Sequence, residues 1–284
     1  MNIEQLLTKA GIAPGSGRVA VMGILNSTPD SFSDGGRFNT IEASIGQALL
    51  MREQGANIID VGGESTRPGA RQVSEAEELD RVIPVIERLT RELDIPVSVD
   101  TTKAVVMTEA VKAGAAMIND VCALQLPGAM DAAVSASVPV CLMHMQGDPR
   151  TMQAEPHYED VVVEVRDFLN DRIAQCEIAG LNHDQIIIDP GFGFGKTVAH
   201  NLSLLHELEE LTGLGFPVLA GLSRKSLIGK LLNLPVDSRA HASVALALIA
   251  VQHGARFVRV HDVAETVQAV RMWEAVQSGE VTAL

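Results

Sequence analysis

The stretch Ile186-Ile187-Ile188-Asp189-Pro190-Gly191-Phe192-Gly193-Phe194-Gly195-Lys196 decides the fold. A short apolar run reads as a strand buried on both faces. It stops at an acid, passes through a glycine-rich turn and enters a helical pattern, and the same unit recurs on either side of it. Strands are predicted at 19–25, 58–61, 97–100, 117–119, 140–143, 186–189, 218–221 and 257–260. Helices are predicted at about 41–54, 75–93, 103–113, 128–136, 159–179, 200–212, 239–253 and 263–277. Eight such units without a break in composition specify a single-domain α/β fold, the (β/α)₈ TIM barrel. An open doubly wound sheet would want a GxGxxG after its first strand, and none is there. Residues 1–18, with Pro14, Gly15 and Gly17, read as an N-terminal extension leading to a barrel at 19–284.

Local signals punctuate these units. Ser74 with Glu77 reads as a capping box, Gly180 as a helix C-cap, and Gly55 and Gly114 as stops before the next strand. Tyr158 and Trp273 fall in helical patterns and read as packing residues. Gly195-Lys196-Thr197 imitates the tail of a phosphate-binding GxxxxGK[ST] loop, but Pro190 stands where its first glycine belongs. The glycines there read instead as letting a mobile loop approach a ligand closely.

Composition narrows the function. Of 284 residues, 46% are hydrophobic, enough for a large core, and no run is long enough to span a membrane. Lys plus Arg number 22 against 36 Asp plus Glu, a net charge of −14 that argues against nucleic acid or anionic lipid as partner. An anionic substrate must therefore meet a local cluster of cations. The three cysteines, Cys122, Cys141 and Cys176, form no CxxC, and their odd number suits a reducing, cytoplasmic compartment.

In a barrel, chemistry belongs to the C-terminal ends of the strands, and that is where the polar residues collect. Asp100, Asn119 and Asp189 end three strands and suit a flat heterocycle bearing several N–H donors. Arg67, Lys225, Arg259 and His261 come from three other loops and suit a phosphate or carboxylate. Each residue alone would serve as well as a cap or a solvated charge; their convergence on one barrel face points to a ligand. The histidines show no metal spacing, which leaves a divalent ion held mainly by substrate phosphates.

These strand ends resemble the dihydropteroate synthase family over about residues 20–277. Gly23-Ile24-Leu25-Asn26-Ser27-Thr28-Pro29-Asp30-Ser31-Phe32-Ser33-Asp34-Gly35-Gly36 and Asp60-Val61-Gly62-Gly63-Glu64-Ser65-Thr66-Arg67-Pro68-Gly69 carry the likeness. So do the opening stretch, Ser223-Arg224-Lys225-Ser226 and Arg259-Val260-His261-Asp262. The resemblance implies a homodimeric barrel that joins 6-hydroxymethyl-7,8-dihydropterin diphosphate to 4-aminobenzoate with Mg²⁺, releasing pyrophosphate. It implies a pterin pocket of Asp100, Asn119, Asp189 and Lys225, and a diphosphate site of Asn26, Arg259 and His261, with Asn26 also at the metal. Thr66, Arg67, Pro68 and Ser226 would contact the aminobenzoate or the nearby diphosphate, and Phe32 would sit in a loop closing over it. Arg67, Lys225, Arg259 and His261 would be the catalytic cations. Ser27 stands where the family commonly has Val, Ala242-Ser243 replaces a common Gly-Ser, and Cys122-Ala123-Leu124 fills a variable position. A pterin-barrel methyltransferase and a non-catalytic pterin-binding barrel are the alternatives.

Overall fold

In the computed structural model, which describes residues 1–27, 37–65, 71–147, 151–152 and 155–279, all eight apolar runs become strands. They are β1 (Ala20–Asn26), β2 (Ile58–Gly62), β3 (Val97–Asp100), β4 (Met117–Asp120), β5 (Val140–Met143), β6 (Ile186–Asp189), β7 (Leu219–Ala220) and β8 (Phe257–Val260). All pair in parallel, in the order β6-β5-β4-β3-β2-β1-β8-β7, and an isolated bridge between Ile188 and Val218 links β6 to the chain entering β7. The result is a (β/α)₈ barrel. Strands β1, β2 and β4 run one residue further than predicted because backbone pairing continues through polar residues, as where Asn26 pairs with Gly62.

Alternation along the strands builds two interior layers. The lower holds Ala20, Met22, Ile58, Met117, Cys141, Ile187, Leu219 and Phe257 in one apolar cluster. Two residues further on, Ile58 gives way to Asp60, Met117 to Asn119, Ile187 to Asp189 and Phe257 to Arg259. The outward-facing Val61, Val99, Ile118, Leu142, Ile188 and Val258 pack in the larger core with the surrounding helices.

Those helices are α1 (Ile3–Lys9), α2 (Arg37–Glu53), α3 (Glu75–Glu92), α4 (Ala104–Lys112), α5 (Ala129–Ala136), α6 (Val161–Ala179), α7 (Val198–His206), α8 (Glu209–Thr212), α9 (Ser226–Leu232), α10 (Ala240–Gln252) and α11 (Val263–Ser278). Where the sequence predicts one helix over 200–212 there are two, α7 and α8. Leu204, Leu205, Leu208 and Leu211 are all buried, so apolar spacing continues across the break and conceals it. The short α9 was not predicted; its buried Leu227 and Ile228 are too few to make a period. Ser74 caps α3 by accepting from the Glu77 N–H, but the box is not closed: the Glu77 carboxylate pairs with Arg71 and Arg81. Tyr158 precedes α6 and donates its hydroxyl to Gly195 O at 2.9 Å, so it lies outside the predicted helix. Gly180 closes α6 at φ +110°, as expected.

The largest departure concerns residues 1–18. Far from a simple lead-in, they contain α1, opened by a reciprocal capping box between Asn2 and Gln5. Ile3, Leu6, Leu7, Ala10 and Ile12 join the lower interior layer in a single cluster, so this segment plugs the N-terminal end of the barrel.

Candidate functional site

The upper interior layer forms the floor of the site. Register sets Gly62 beside Asp100, and Asp100 beside Asn119. Arg259 reaches across from β8, donating Nε to Asp60 Oδ2 at 2.6 Å and Nη2 to Asp100 Oδ2 at 2.6 Å. Asn119 Nδ2 donates to the same Asp60 oxygen at 3.0 Å. Asp60 is fully buried, and its Oδ1 has no hydrogen-bond partner, which leaves one buried acceptor on the floor. Burial pushes the Asp100 carboxyl up, while the Arg259 guanidinium opposes that shift. The predicted acceptor group and cationic group are thus not two separate clusters: Arg259 is held among the acids. Asp60, quoted within the β2 motif, was given no role, although its spacing of two from Ile58 marks it as inward-facing.

Asp189 and Lys225 form the opposite side. Asp189 Oδ1 accepts from Gly191 N at 2.7 Å, and burial raises its carboxyl. Lys225 donates Nζ to Phe192 O at 2.6 Å and stands 4.1 Å from the centroid of the Phe194 ring. Burial pulls the Lys225 amine down to about 8, with Asp189 holding it against a larger fall. Lys225 follows Arg224, a residue at φ +56° whose N–H is accepted by Ser243 Oγ at 2.9 Å and whose guanidinium pairs with Asp262. Ser243, the serine that follows the departure at Ala242, therefore braces the turn that presents Lys225. Ser27 is equally structural: its hydroxyl donates to Arg81 O at 3.2 Å.

His261 exchanges hydrogen bonds with Ser223, through Nδ1 at 3.0 Å and its backbone N–H at 3.1 Å. Ser226 is exposed at the first position of α9. Asn26 ends β1, half-buried, and its side chain makes no hydrogen bond among the described residues. Phe32, Thr66, Arg67 and Pro68 lie outside the described residues.

A cavity of about 840 Å³ opens on this face, lined by Asp100, Lys103, Val121, Cys122 and Met143 and running out to Glu64 and Ser65. Among the described residues, Asp100 alone of the predicted set lines it. Lys103 bonds both Glu64 and the buried Glu78, and Glu64 also accepts from Val73 N at 3.1 Å. None of these three carried a sequence signal, because their pairing depends on three separate elements. No cluster of three or more His, Cys, Asp or Glu suited to a metal exists among the described residues.

The opening stretch is not a phosphate-binding loop, as Pro190 indicates, but its glycines differ from their reading. Lys196 does not face a phosphate; it is buried, and its amine bonds His144 Nδ1 at 2.8 Å and the carbonyls of Gly191 and Phe194 at 3.0 Å each. Nor do the glycines admit a ligand. A Cβ at Gly191 would lie 1.8 Å from His144 O, and one at Gly195 2.3 Å from Gln146 O, so they let the loop press on the chain leaving β5.

A parallel barrel with acids, an amide and cations on its upper floor is the setting of a pterin-binding protein, and the family described as pterin binding enzyme matches residues 22–261. The chain belongs to that family. Within it, its relatives are dihydropteroate synthases. The Haemophilus influenzae enzyme is 55% identical over 90% of this chain and 93% of its own. A Xanthomonas albilineans dihydropteroate synthase structure with 4-aminobenzoic acid matches at TM-score 0.88 and 55% identity, covering 92% of this chain and 94% of that one. Another structure of that enzyme, in complex with 7,8-dihydropteroate, matches at TM-score 0.85 and 52% identity, with the same two coverages of 92% and 94%.

Proposed function

We propose that the chain condenses 6-hydroxymethyl-7,8-dihydropterin diphosphate with 4-aminobenzoate to give 7,8-dihydropteroate and pyrophosphate. The observation that carries this reading is the floor of Asp60, Asp100 and Asn119 gathered on Arg259, with Asp189 and Lys225 opposite. Buried carboxylates and an amide suit the N–H edge of a pterin, and Lys225 offers a donor to its ring acceptors. Asp60 and Asp100 take two of the five guanidinium N–H groups of Arg259, which leaves donors for the diphosphate.

Charge grows on the diphosphate as its bond to the pterin methylene breaks. Arg259 and His261, with Arg67 from the loop after β2, stabilise that charge electrostatically. The aryl amine of 4-aminobenzoate is neutral at ordinary pH, attacks without a base and loses its proton afterwards. Thr66, Pro68, Ser226 and Phe32 complete the aminobenzoate side. Asn26 fits a place beside Mg²⁺: a half-buried amide oxygen with no other partner among the described residues gives a hard cation one ligand, and substrate phosphates supply more. Bound there, the ion would neutralise diphosphate charge. Purified protein with both substrates and Mg²⁺ is expected to release pyrophosphate only when 4-aminobenzoate is present, and a chelator should stop it. Failure to form dihydropteroate would refute the assignment.

The alkaline limb of kcat/KM for the pterin substrate should fall through about pH 8, because Lys225 is charged below its pKa and neutral above it. Lys225→Arg should move that limb upward. A limb that stays in place would belong to Lys196, which burial pulls down to about 7.

A homodimer is the assembly we infer, through exposed Leu202 on α7 and Leu231 and Leu232 on the adjoining α9. No helix among the described residues is long and apolar enough to cross a membrane, and Cys122, Cys141 and Cys176, which form no disulfide, suit the cytoplasm.

A further inference from the structure

Lys196 is 3% exposed and touches none of the residues assigned above to substrate. Its amine meets four acceptors, three of them at 2.8–3.0 Å and His144 O at 3.4 Å, and only an ammonium has three N–H groups to satisfy the three close ones together. One acceptor is His144 Nδ1, which requires a neutral imidazole; burial keeps His144 in that form, with its pKa down at about 3. The other two close ones are the carbonyls of Gly191 and Phe194, the first and last residues of a turn closed by Phe194 N donating to Gly191 O at 3.0 Å. Inside that turn lie both contacts of the Lys225 ammonium, Phe192 O and the Phe194 ring. Other groups hold the loop elsewhere. Asn201 accepts from Gly193 N at 2.6 Å and donates to Lys196 O at 3.4 Å, and the Tyr158 hydroxyl donates to Gly195 O.

We propose that Lys196 is a positioning residue for the pterin site: its buried ammonium ties both ends of the turn 191–194, and that turn places the Lys225 ammonium. The inference rests on the reading of Lys225 as a pterin ligand given above. It accounts for a lysine that the sequence makes look like a phosphate binder and the fold turns inward. Phe194 O accepts from this ammonium deep in the protein, so loss of the amine leaves a buried acceptor unpaired and frees the turn to shift.

The test is a double-mutant cycle on the full chain, reading KM for each substrate and the melting temperature. Lys196→Met fills similar volume without donors. It is expected to raise KM for the pterin diphosphate about tenfold, within the range of coupled neighbours, while KM for 4-aminobenzoate changes less than about twofold. In a Lys225→Met background the same substitution should add less than about twofold. Equal effects in both backgrounds, or equal rises in both KM values, would overturn the proposal, since a merely structural residue gives those results. Should Lys196→Met not fold, His144→Phe removes one acceptor and keeps the ring against Phe168 and Tyr158. It should give a smaller rise, again confined to the pterin substrate, and an unchanged pterin KM would overturn the proposal. If Lys225→Met itself leaves pterin KM unaltered, the reading of Lys225 falls and takes this inference with it, a result distinct from additivity.

Discussion

Arg259→Ala is expected to lower kcat/KM by about 10²–10³ and to destabilise the fold as well. The sequence alone suggests a strand-end cation facing ligand, whose loss would spare stability. The structure instead places the guanidinium between Asp60, which is fully buried, and Asp100. Removing it leaves Asp60 with only the Asn119 amide and takes the counter-ion from both carboxylates, a change that costs about 3–5 kcal/mol in buried ion pairs. The sign of the pH effect follows. Burial already lifts the Asp100 carboxyl and Arg259 pulls it down, so the variant's Asp100 titrates higher still. Its penalty is present in full only above the variant's Asp100 pKa, which lies above the wild-type value of about 7, and is lost as pH falls to about 7, so the part of the melting-temperature gap due to Asp100 should widen above pH 7 and vanish below it. Adding Asp60→Asn should recover part of the melting temperature and none of the activity. A variant as stable as wild type would show that the two acids do not depend on Arg259.

Deleting residues 1–12 is expected to abolish the soluble fold. Ile3, Leu6, Leu7 and Ile12 are nearly fully buried against the lower interior layer, and each such side chain contributes about 1.5–3 kcal/mol by leaving water. Together they approach the whole net stability of a domain, about 5–15 kcal/mol. Circular dichroism and thermal melting of the truncated chain check this, with Leu6→Asp as the milder case. A shortened protein that melts near the wild-type temperature would mean that α1 is an ornament on a self-sufficient barrel.

The eight strands were legible because each is apolar on both faces, a pattern that survives without any knowledge of partners. The inward-facing acids and the arginine were legible too, since Asp189 and Arg259 stand two residues beyond Ile187 and Phe257, on the same face. What escaped was pairing at long range. Nothing local tells that Arg259 finds Asp60 from 199 positions away. The α1 plug carried a capping box and apolar spacing, but its seven residues sit beside Pro14 and Gly15, which draw the eye to a linker. The glycines after β6 misled: they read as room for a ligand, whereas they let the loop press on the chain leaving β5, a contact that no local pattern announces.

The packed lower end also governs traffic. With side chains filling the lower interior layer and α1 beneath them, the barrel is a cul-de-sac, and the mouth formed by the strand C-terminal ends serves as both entrance and exit. Reactants cannot thread through; they must queue. On the proposed reading, the molecule that lies deepest, against Asn119 and Asp189, would have to arrive before anything seated above it, and the finished product would have to back out whole past the spot where pyrophosphate left.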